Sequence, residues 1–280
     1  MFNDLSKLRY TDRSENKNIM TDAKAYWEGR LANNYNLAGV GYLNLGINYN
    51  KWLYRVRKKV FCRVIRTLDV DPAASKVLDI GSGTGFYVER WKDLGVSNLT
   101  GIDLTSVAVE RLKKEYPEYS FYELDISSEF PAGTPSTFDL VSALDVLFHI
   151  VNDDLFERAI ANIYNLCKRG GYFLLSDNFL HSNSIVGTYQ TNRTLIEIRD
   201  LLEGNGFKII SRVPMFVLMN TPIDSTNRLH HLLWSKFTNI ITKNDKFGYC
   251  FGLGMYPIEL FCTKLMKESP STEIMLCKKE

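Results

Sequence analysis

The chain has 280 residues, 45% of them hydrophobic, with 34 basic and 32 acidic side chains and a formal net charge of +2. That is enough for one domain of about 200 to 250 residues plus attachments. Near-neutrality removes the bulk charge that drives nonspecific nucleic-acid binding. The five cysteines (Cys62, Cys167, Cys250, Cys262 and Cys277) are scattered and form no C-x-x-C pair. They argue against a disulfide framework or a zinc site and for a reducing compartment. The polar N-terminus has no apolar core of signal-peptide type. The longest apolar run, Leu140 to Val151, is broken by Asp145 and His149 and is too short for a bilayer. The expectation is a soluble, cytoplasmic protein without metal, for which neither nucleic-acid nor membrane contact is expected.

After a polar leader to about Thr21, an aromatic- and Asn/Gly-rich stretch leads into a helix whose Trp52, Val56, Val60 and Val64 recur every fourth residue. Pro72 closes that segment. "KVLDI" reads as a strand, Phe86 to Leu94 as a helix and "NLTGIDL" as a strand. A helix capped by Thr105 runs to Pro117. The strand "YSFYELDI" and a Pro/Gly/Ser/Thr-rich loop follow, then the strand "FDLVSALDVL". Asn152 caps a helix expected to stop at Gly170 and Gly171. "YFLLSDNFL" is a strand, and Thr194 with Glu197 has capping-box spacing before a helix ending at Gly204 or Gly206. "FKIISRVPMFVLM" and "TEIMLCKK" are the last two strands. The residues between them, about 220–270, exceed a hairpin and read as a helical cover.

Such alternation implies an α/β fold, a mostly parallel sheet with helices on both faces. Its ligand crevice lies beyond the carboxyl ends of the strands. Residues 1–70 read as leader and helical lid, and 71–280 as the ligand-binding domain. The crevice should open after "KVLDI", where "GSGTG" places Gly81, Gly83 and Gly85 at every second position.

The dinucleotide fingerprint needs a third glycine at relative position 6, where this chain has Phe86. That disfavours NAD. Asp79, two residues before the first glycine, would repel a pyrophosphate but attract an ammonium. Asp103 ends the next strand and can accept both hydroxyls of a ribose. Asp125 ends the one after, where it can accept an adenine amino group. Three acids ending three successive strands describe a ligand with an ammonium, a ribose and an adenine but no phosphate. S-adenosylmethionine fits that description.

"VLDIGSGTG", "GIDL", "ELDI", "FDLVSALDVLFHI" and "LCKRGGYFLLSD" stand in the order and spacing of the class I S-adenosylmethionine-dependent methyltransferases. The chain resembles that family over about residues 75–210. The resemblance implies a Rossmann-like seven-stranded sheet of order 3-2-1-4-5-7-6, strand 7 antiparallel. It also implies that Gly81, Gly83 and Gly85 pass under the methionine part, with Asp79 near its amino group. Asp103 would hold the ribose, Leu104 would pack on adenine, and Asp125 and Ile126 would frame it. Leu144 and Asp145 would line the sulfonium side.

His149, four residues past Asp145, is the candidate general base; its competing reading is pocket wall. Tyr26, Trp27, Arg30 and Tyr35 are candidates for a lid over the cofactor. His181, Trp234 and Tyr256, with the cover, are candidates for the acceptor pocket. The helix carrying Lys51, Arg55, Arg57, Lys58, Lys59, Arg63 and Arg66 has no acid. It reads as a solvated face or as a surface for an anionic partner. The expected function is methyl transfer to an oxygen or nitrogen of a small molecule or glycan. A catalytically silent cofactor-binding module is the alternative. A nucleic-acid methyltransferase is disfavoured, because "ALDV" stands where an Asn/Asp-Pro-Pro-aromatic tetrapeptide would be.

Overall fold

The computed structural model describes residues 23–129 and 137–280. The leader up to Thr21, and most of the loop after the third strand, lie outside the described residues. Seven strands form the main sheet: β1 (Lys76–Ile80), β2 (Asn98–Asp103), β3 (Ser120–Glu123), β4 (Phe138–Ala143), β5 (Cys167–Asp177), β6 (Phe207–Pro214) and β7 (Glu273–Lys279). Their order is β3-β2-β1-β4-β5-β7-β6. β7 runs antiparallel to both neighbours, as the resemblance implied. The helices are α1 (Ala23–Asn33), α2 (Gly46–Ile65), α3 (Phe86–Asp93), α4 (Ser106–Glu115), α5 (Asp153–Leu166), α6 (Leu195–Asn205), α7 (Arg228–Ile241) and α8 (Asp245–Leu265). A small hairpin pairs Ile185–Val186 with Thr191–Asn192.

Strand period two divides the core into two layers. Val77, Leu140, Leu174 and Leu276 face one side, with α2, α3 and α4. Leu78, Val141, Leu175 and Cys277 face the other, with Phe156, Ile160 and Ile163 of α5 and Leu202 of α6. Both faces are covered, so the strands read as near-continuous apolar runs rather than as alternation.

Helix α2 crosses the first layer with Tyr49, Trp52, Val56, Val60 and Val64 buried. The cover helices α7 and α8 pack on it from outside. Gly248 and Gly252 of α8 let its backbone approach closely: a Cβ on Gly252 would lie 2.2 Å from Trp52 Cδ1. The buried Glu259 carboxylate accepts the backbone N–H groups of Val217 and Leu218, at 2.6 and 2.8 Å. That fastens the segment after β6 beneath α8.

Several boundaries differ from expectation, among them that β6, read as far as Met219, stops at Pro214. β5 begins at Cys167 and runs through Gly170 and Gly171, because a register shift pairs Phe138 with Cys167 before the regular ladder. β3 stops at Glu123, so Asp125 stands in the turn beyond the strand, where its carboxylate accepts the Ser127 N–H at 2.8 Å. β4 stops at Ala143, and Asp145 adopts φ 62.

Gly252→Val overpacks the α2–α8 contact, at a cost of about 1–3 kcal/mol. Its melting temperature should fall by several degrees in a calorimetric scan. An unchanged value would mean that α8 does not approach Trp52 so closely.

Candidate functional site

The loop after β1 explains its glycines. Gly81, Gly83 and Gly85 have φ of 69°, 53° and 80°, a region that side chains disfavour. Space is short as well. A Cβ on Gly81 would lie 2.4 Å from Val146 Cγ2, and one on Gly83 3.1 Å from Val40 Cγ1. The N–H groups of Gly81 and Ser82 donate to the Ile102 carbonyl at 2.7 and 3.1 Å, tying the loop to the end of β2.

Above this loop opens a cleft of about 980 Å³. Its walls include Gly81, Gly83, Asp103, Leu104, Asp125, Ile126, Leu144 and Asp145, which the chain brings together from the ends of β1 to β4. Asp103 is buried; its Oδ2 accepts the Gly83 N–H at 2.8 Å and its Oδ1 accepts from Thr105. Burial raises its pKa, against the opposing hydrogen bonds from Thr105 and Gly83. Gly85 caps α3 beside the cleft without lining it. Asp79, expected beside an ammonium, lies behind the loop. Pairing across β1 and β4 sets it opposite Ser142, whose hydroxyl donates to it at 2.7 Å. It is 2% exposed, and burial pushes its pKa up to about 6.

Arg57 was read among the basic residues of α2's outer face, but it is buried. Its Nε donates to Asp145 Oδ2 at 2.7 Å, and its guanidinium lies over the Tyr54 and Phe216 rings. Burial opposes its charge, yet Asp145 beside it more than compensates, so its pKa is raised. Ser176 completes the bracket by accepting the Asp145 N–H at 2.7 Å. The Tyr87 hydroxyl and Thr84 Oγ1, both on residues lining the cleft, are buried without a hydrogen-bond partner.

Helix α1 roofs the cleft. Ala23, Lys24, Trp27 and Leu31 line it. Glu28 fastens α1 to the start of α4, accepting from Ser106 N, Ser106 Oγ and Val107 N at 2.9, 2.7 and 3.0 Å. An anion there meets the unpaired N–H groups of a helix N-terminus. No motif announced this contact. Tyr26, Arg30 and Tyr35 brace the roof without lining the cleft. Tyr26 stacks on Tyr189, Arg30 donates to the Gly39 and Gly41 carbonyls, and the Tyr35 hydroxyl donates to Gly83 O at 3.1 Å.

His149 lines the cleft with its ring edge-on to Trp27. Its Nδ1 lies 2.8 Å from the Tyr189 carbonyl. A carbonyl only accepts, so Nδ1 carries the proton and Nε2 keeps its lone pair. Burial pushes its pKa down to about 4.

His181, Trp234 and Tyr256 stand away from this cleft. Trp234 packs on Phe237 in the core, and Tyr256 lies against Trp52. His181 pairs through Nδ1 with Asp224 in a separate recess of about 540 Å³. The cover was expected to wall the acceptor pocket; instead it packs outward on α2, so none of its residues lines the cleft.

Asp177, at the end of β5, escaped the sequence reading. It is buried, accepts the Asn178 N–H at 2.7 Å, and burial pushes its pKa from 3.8 up to about 7. A raised folded pKa contributes stability that is fully present below about pH 4 and lost as pH rises through about 7. Asp177→Asn removes that loss. In melting scans between pH 4 and 8 the variant should gain on the parent as pH rises. A pH-independent difference would show that Asp177 keeps an ordinary carboxylate pKa.

A family model described as "Methyltransferase domain" matches residues 78–175, the segment from β1 to β5. A ubiquinone biosynthesis O-methyltransferase of Albidiferax ferrireducens is 31% identical over 37% of this chain and 41% of its own length. A malonyl-[acyl-carrier protein] O-methyltransferase of Pectobacterium atrosepticum is 29% identical over 46% of this chain and 53% of its own. The chain thus spans less than half the length of the first curated relatives it matches. Among solved structures, an S-adenosylmethionine-dependent methyltransferase of Leishmania major superposes with a TM-score of 0.56 at 16% identity, covering 69% of this chain and 74% of that one. The [4+2]-cyclase SpnF superposes with a TM-score of 0.50 at 18% identity, covering 79% and 80%. With the motif series and the sheet order in agreement with the family model, residues 78–175 are a methyltransferase domain, set in a chain whose fold is that of the class I S-adenosylmethionine-dependent methyltransferases.

Proposed function

We propose that the cleft binds S-adenosylmethionine and that the protein transfers its methyl group to an oxygen of a small, largely apolar organic acceptor. One observation carries the reading: the left-handed Gly81 and Gly83 and the Asp103 carboxylate meet in a cleft at the strand ends. The residues present fit the cofactor. Asp103 has acceptor capacity beyond its present bonds for ribose hydroxyls. Leu104, Asp125 and Ile126 offer a partly apolar slot for adenine. The Thr84 and Tyr87 hydroxyls await polar partners. An oxygen acceptor is favoured by the two relatives named as O-methyltransferases. Its apolar character is favoured by Trp27, Leu31, Ile150, Val151 and Val186 in the walls.

When bound, S-adenosylmethionine supplies an electrophilic methyl on a good leaving group. The chain's own work is then alignment and exclusion of water. Asp145, held by Arg57 and Ser176, fixes the cleft wall beside Leu144. The α1 roof shields the reacting atoms. His149, which lines the cleft, would take the proton of the acceptor hydroxyl on Nε2, and its low pKa keeps it neutral throughout the physiological range.

A second reading is cofactor binding without methyl transfer. The shared fold with a [4+2]-cyclase favours keeping it in view, because a fold does not fix a chemistry. Incubation with methyl-labelled S-adenosylmethionine and a panel of hydroxylated aromatic acceptors separates the two. Label in an acceptor supports transfer; binding of S-adenosylhomocysteine with no label in any product supports the silent module.

Two variants test the assigned parts. Asp103→Ala should weaken S-adenosylhomocysteine binding in a calorimetric titration by about 1.5–3 kcal/mol, since hydrogen bonds to a charged acceptor are lost. Parental affinity would exclude Asp103 as the ribose partner. His149→Ala should keep that affinity and lose roughly 10²- to 10⁴-fold in turnover. The parent's rate should stay level from pH 8 down to about 5 and fall only as pH approaches 4, the pKa of His149. Parental turnover in the variant would leave alignment as the whole of catalysis.

A further inference from the structure

The cover helices contribute nothing to the cleft, and their outer faces have no partner. On α7, Leu229, Leu232, Leu233 and Ile240 are each more than half exposed. Their spacing places them on one stripe, opposite the buried Trp234, Phe237 and Ile241. On α8, Phe247, Ile258, Phe261 and Leu265 form a second stripe, with Phe261 63% and Leu265 71% exposed. The two helices are joined by residues 242–244 and pack on each other. Exposed apolar stripes on two helices packed together are the kind of surface that marks an interaction site.

Charge around the stripes selects the partner. Arg228, Lys236, Lys243, Lys246, Lys264 and Lys267 are all exposed, and none is in an ion pair among the described residues. Between residues 225 and 267 the acids are Asp245 and Glu259. Asp245 is engaged by Asn48, and Glu259 is buried on the Val217 and Leu218 N–H groups. The adjoining helix α2 adds exposed Lys51, Arg55 and Lys59, the acid-free row seen in the sequence. An apolar face with a basic rim and no free acid matches an anionic lipid surface. A symmetric contact with a second copy would instead bring like charges together across the interface. No helix among the described residues is long and apolar enough to cross a membrane, so the geometry is that of helices lying on one.

We propose that the outer face of α7 and α8 docks the protein on the surface of an anionic lipid bilayer. The aliphatic and aromatic stripe enters the headgroup region, and the lysine rim meets the lipid charges. Membrane contact was not expected from the sequence, because α2's apolar stripe belongs to the core. The docking face lies on the cover that packs outside α2.

The test is sedimentation of the full chain with vesicles of phosphatidylcholine alone or with one-third phosphatidylglycerol. Binding should be strong on the anionic vesicles, weak on the neutral ones, and reduced as salt rises. Phe261→Ser with Leu265→Ser should lower the partition coefficient at least tenfold. Lys264→Glu with Lys267→Glu should lower it on anionic vesicles by about fivefold or more per residue. Far-UV spectra and melting temperatures near the parent's show that the variants fold. The proposal is overturned if the parent stays in the supernatant with both vesicles. It is equally overturned if binding ignores lipid charge, or if the parent is a dimer that Phe261→Ser with Leu265→Ser converts to monomer, with no vesicle binding.

Discussion

The Arg57–Asp145 ion pair ties the molecule together. It joins α2, which carries the first core layer, to the backbone just beyond β4, where the cleft begins. Removing either partner alone would leave a charge buried without compensation, at a cost of several kcal/mol. The pair also explains the local backbone. Asp145 is one of two non-glycine residues at positive φ among those described, and such strain persists where surroundings over-determine it. Here Arg57 holds the carboxylate and Ser176 holds the N–H. The cleft wall is therefore set by the same contact that seats α2 on the sheet.

Two further ties converge on the same opening. Glu28 holds the roof to α4, and Tyr189 holds the roof and His149 to the small hairpin after β5. The cleft is thus bounded by pieces far apart in sequence, fastened by the Glu28 hydrogen bonds to α4 and by the Tyr26 stack and the His149 hydrogen bond to Tyr189. In the proposed function, rigid strands supply the cofactor side, and hydrogen-bonded surface segments supply the acceptor side. That division suits an enzyme family in which the donor is constant and the acceptor varies.

Much of this was legible in the sequence because it depends on local constraints. Gly81, Gly83 and Gly85 are demanded by left-handed backbone, and Thr194 with Glu197 forms the capping box its spacing announced. The strand order was implied by the family resemblance that the motif series carries. What stayed hidden depends on partners distant in the chain. Arg57 looks like its exposed neighbours until α2 is seated on Phe216 and Asp145. Asp177 ends its strand unremarkably, and only burial makes it unusual. Trp234 and Tyr256 looked like pocket aromatics because composition cannot tell which side of α2 the cover occupies. Asp79 was read from its distance to the glycines, whereas pairing across two strands turned it toward Ser142.

The central claim is that the glycine loop and the strand-end acids bind the cofactor in the cleft beneath α1. A crystal structure of the full chain grown with S-adenosylhomocysteine tests it most directly. The account predicts the ribose hydroxyls on Asp103, the adenine between Leu104 and Ile126, and the sulfur facing Leu144 and Asp145, with His149 across the remaining space. Ligand density in the His181–Asp224 recess, or an empty cleft at saturating ligand, would contradict it.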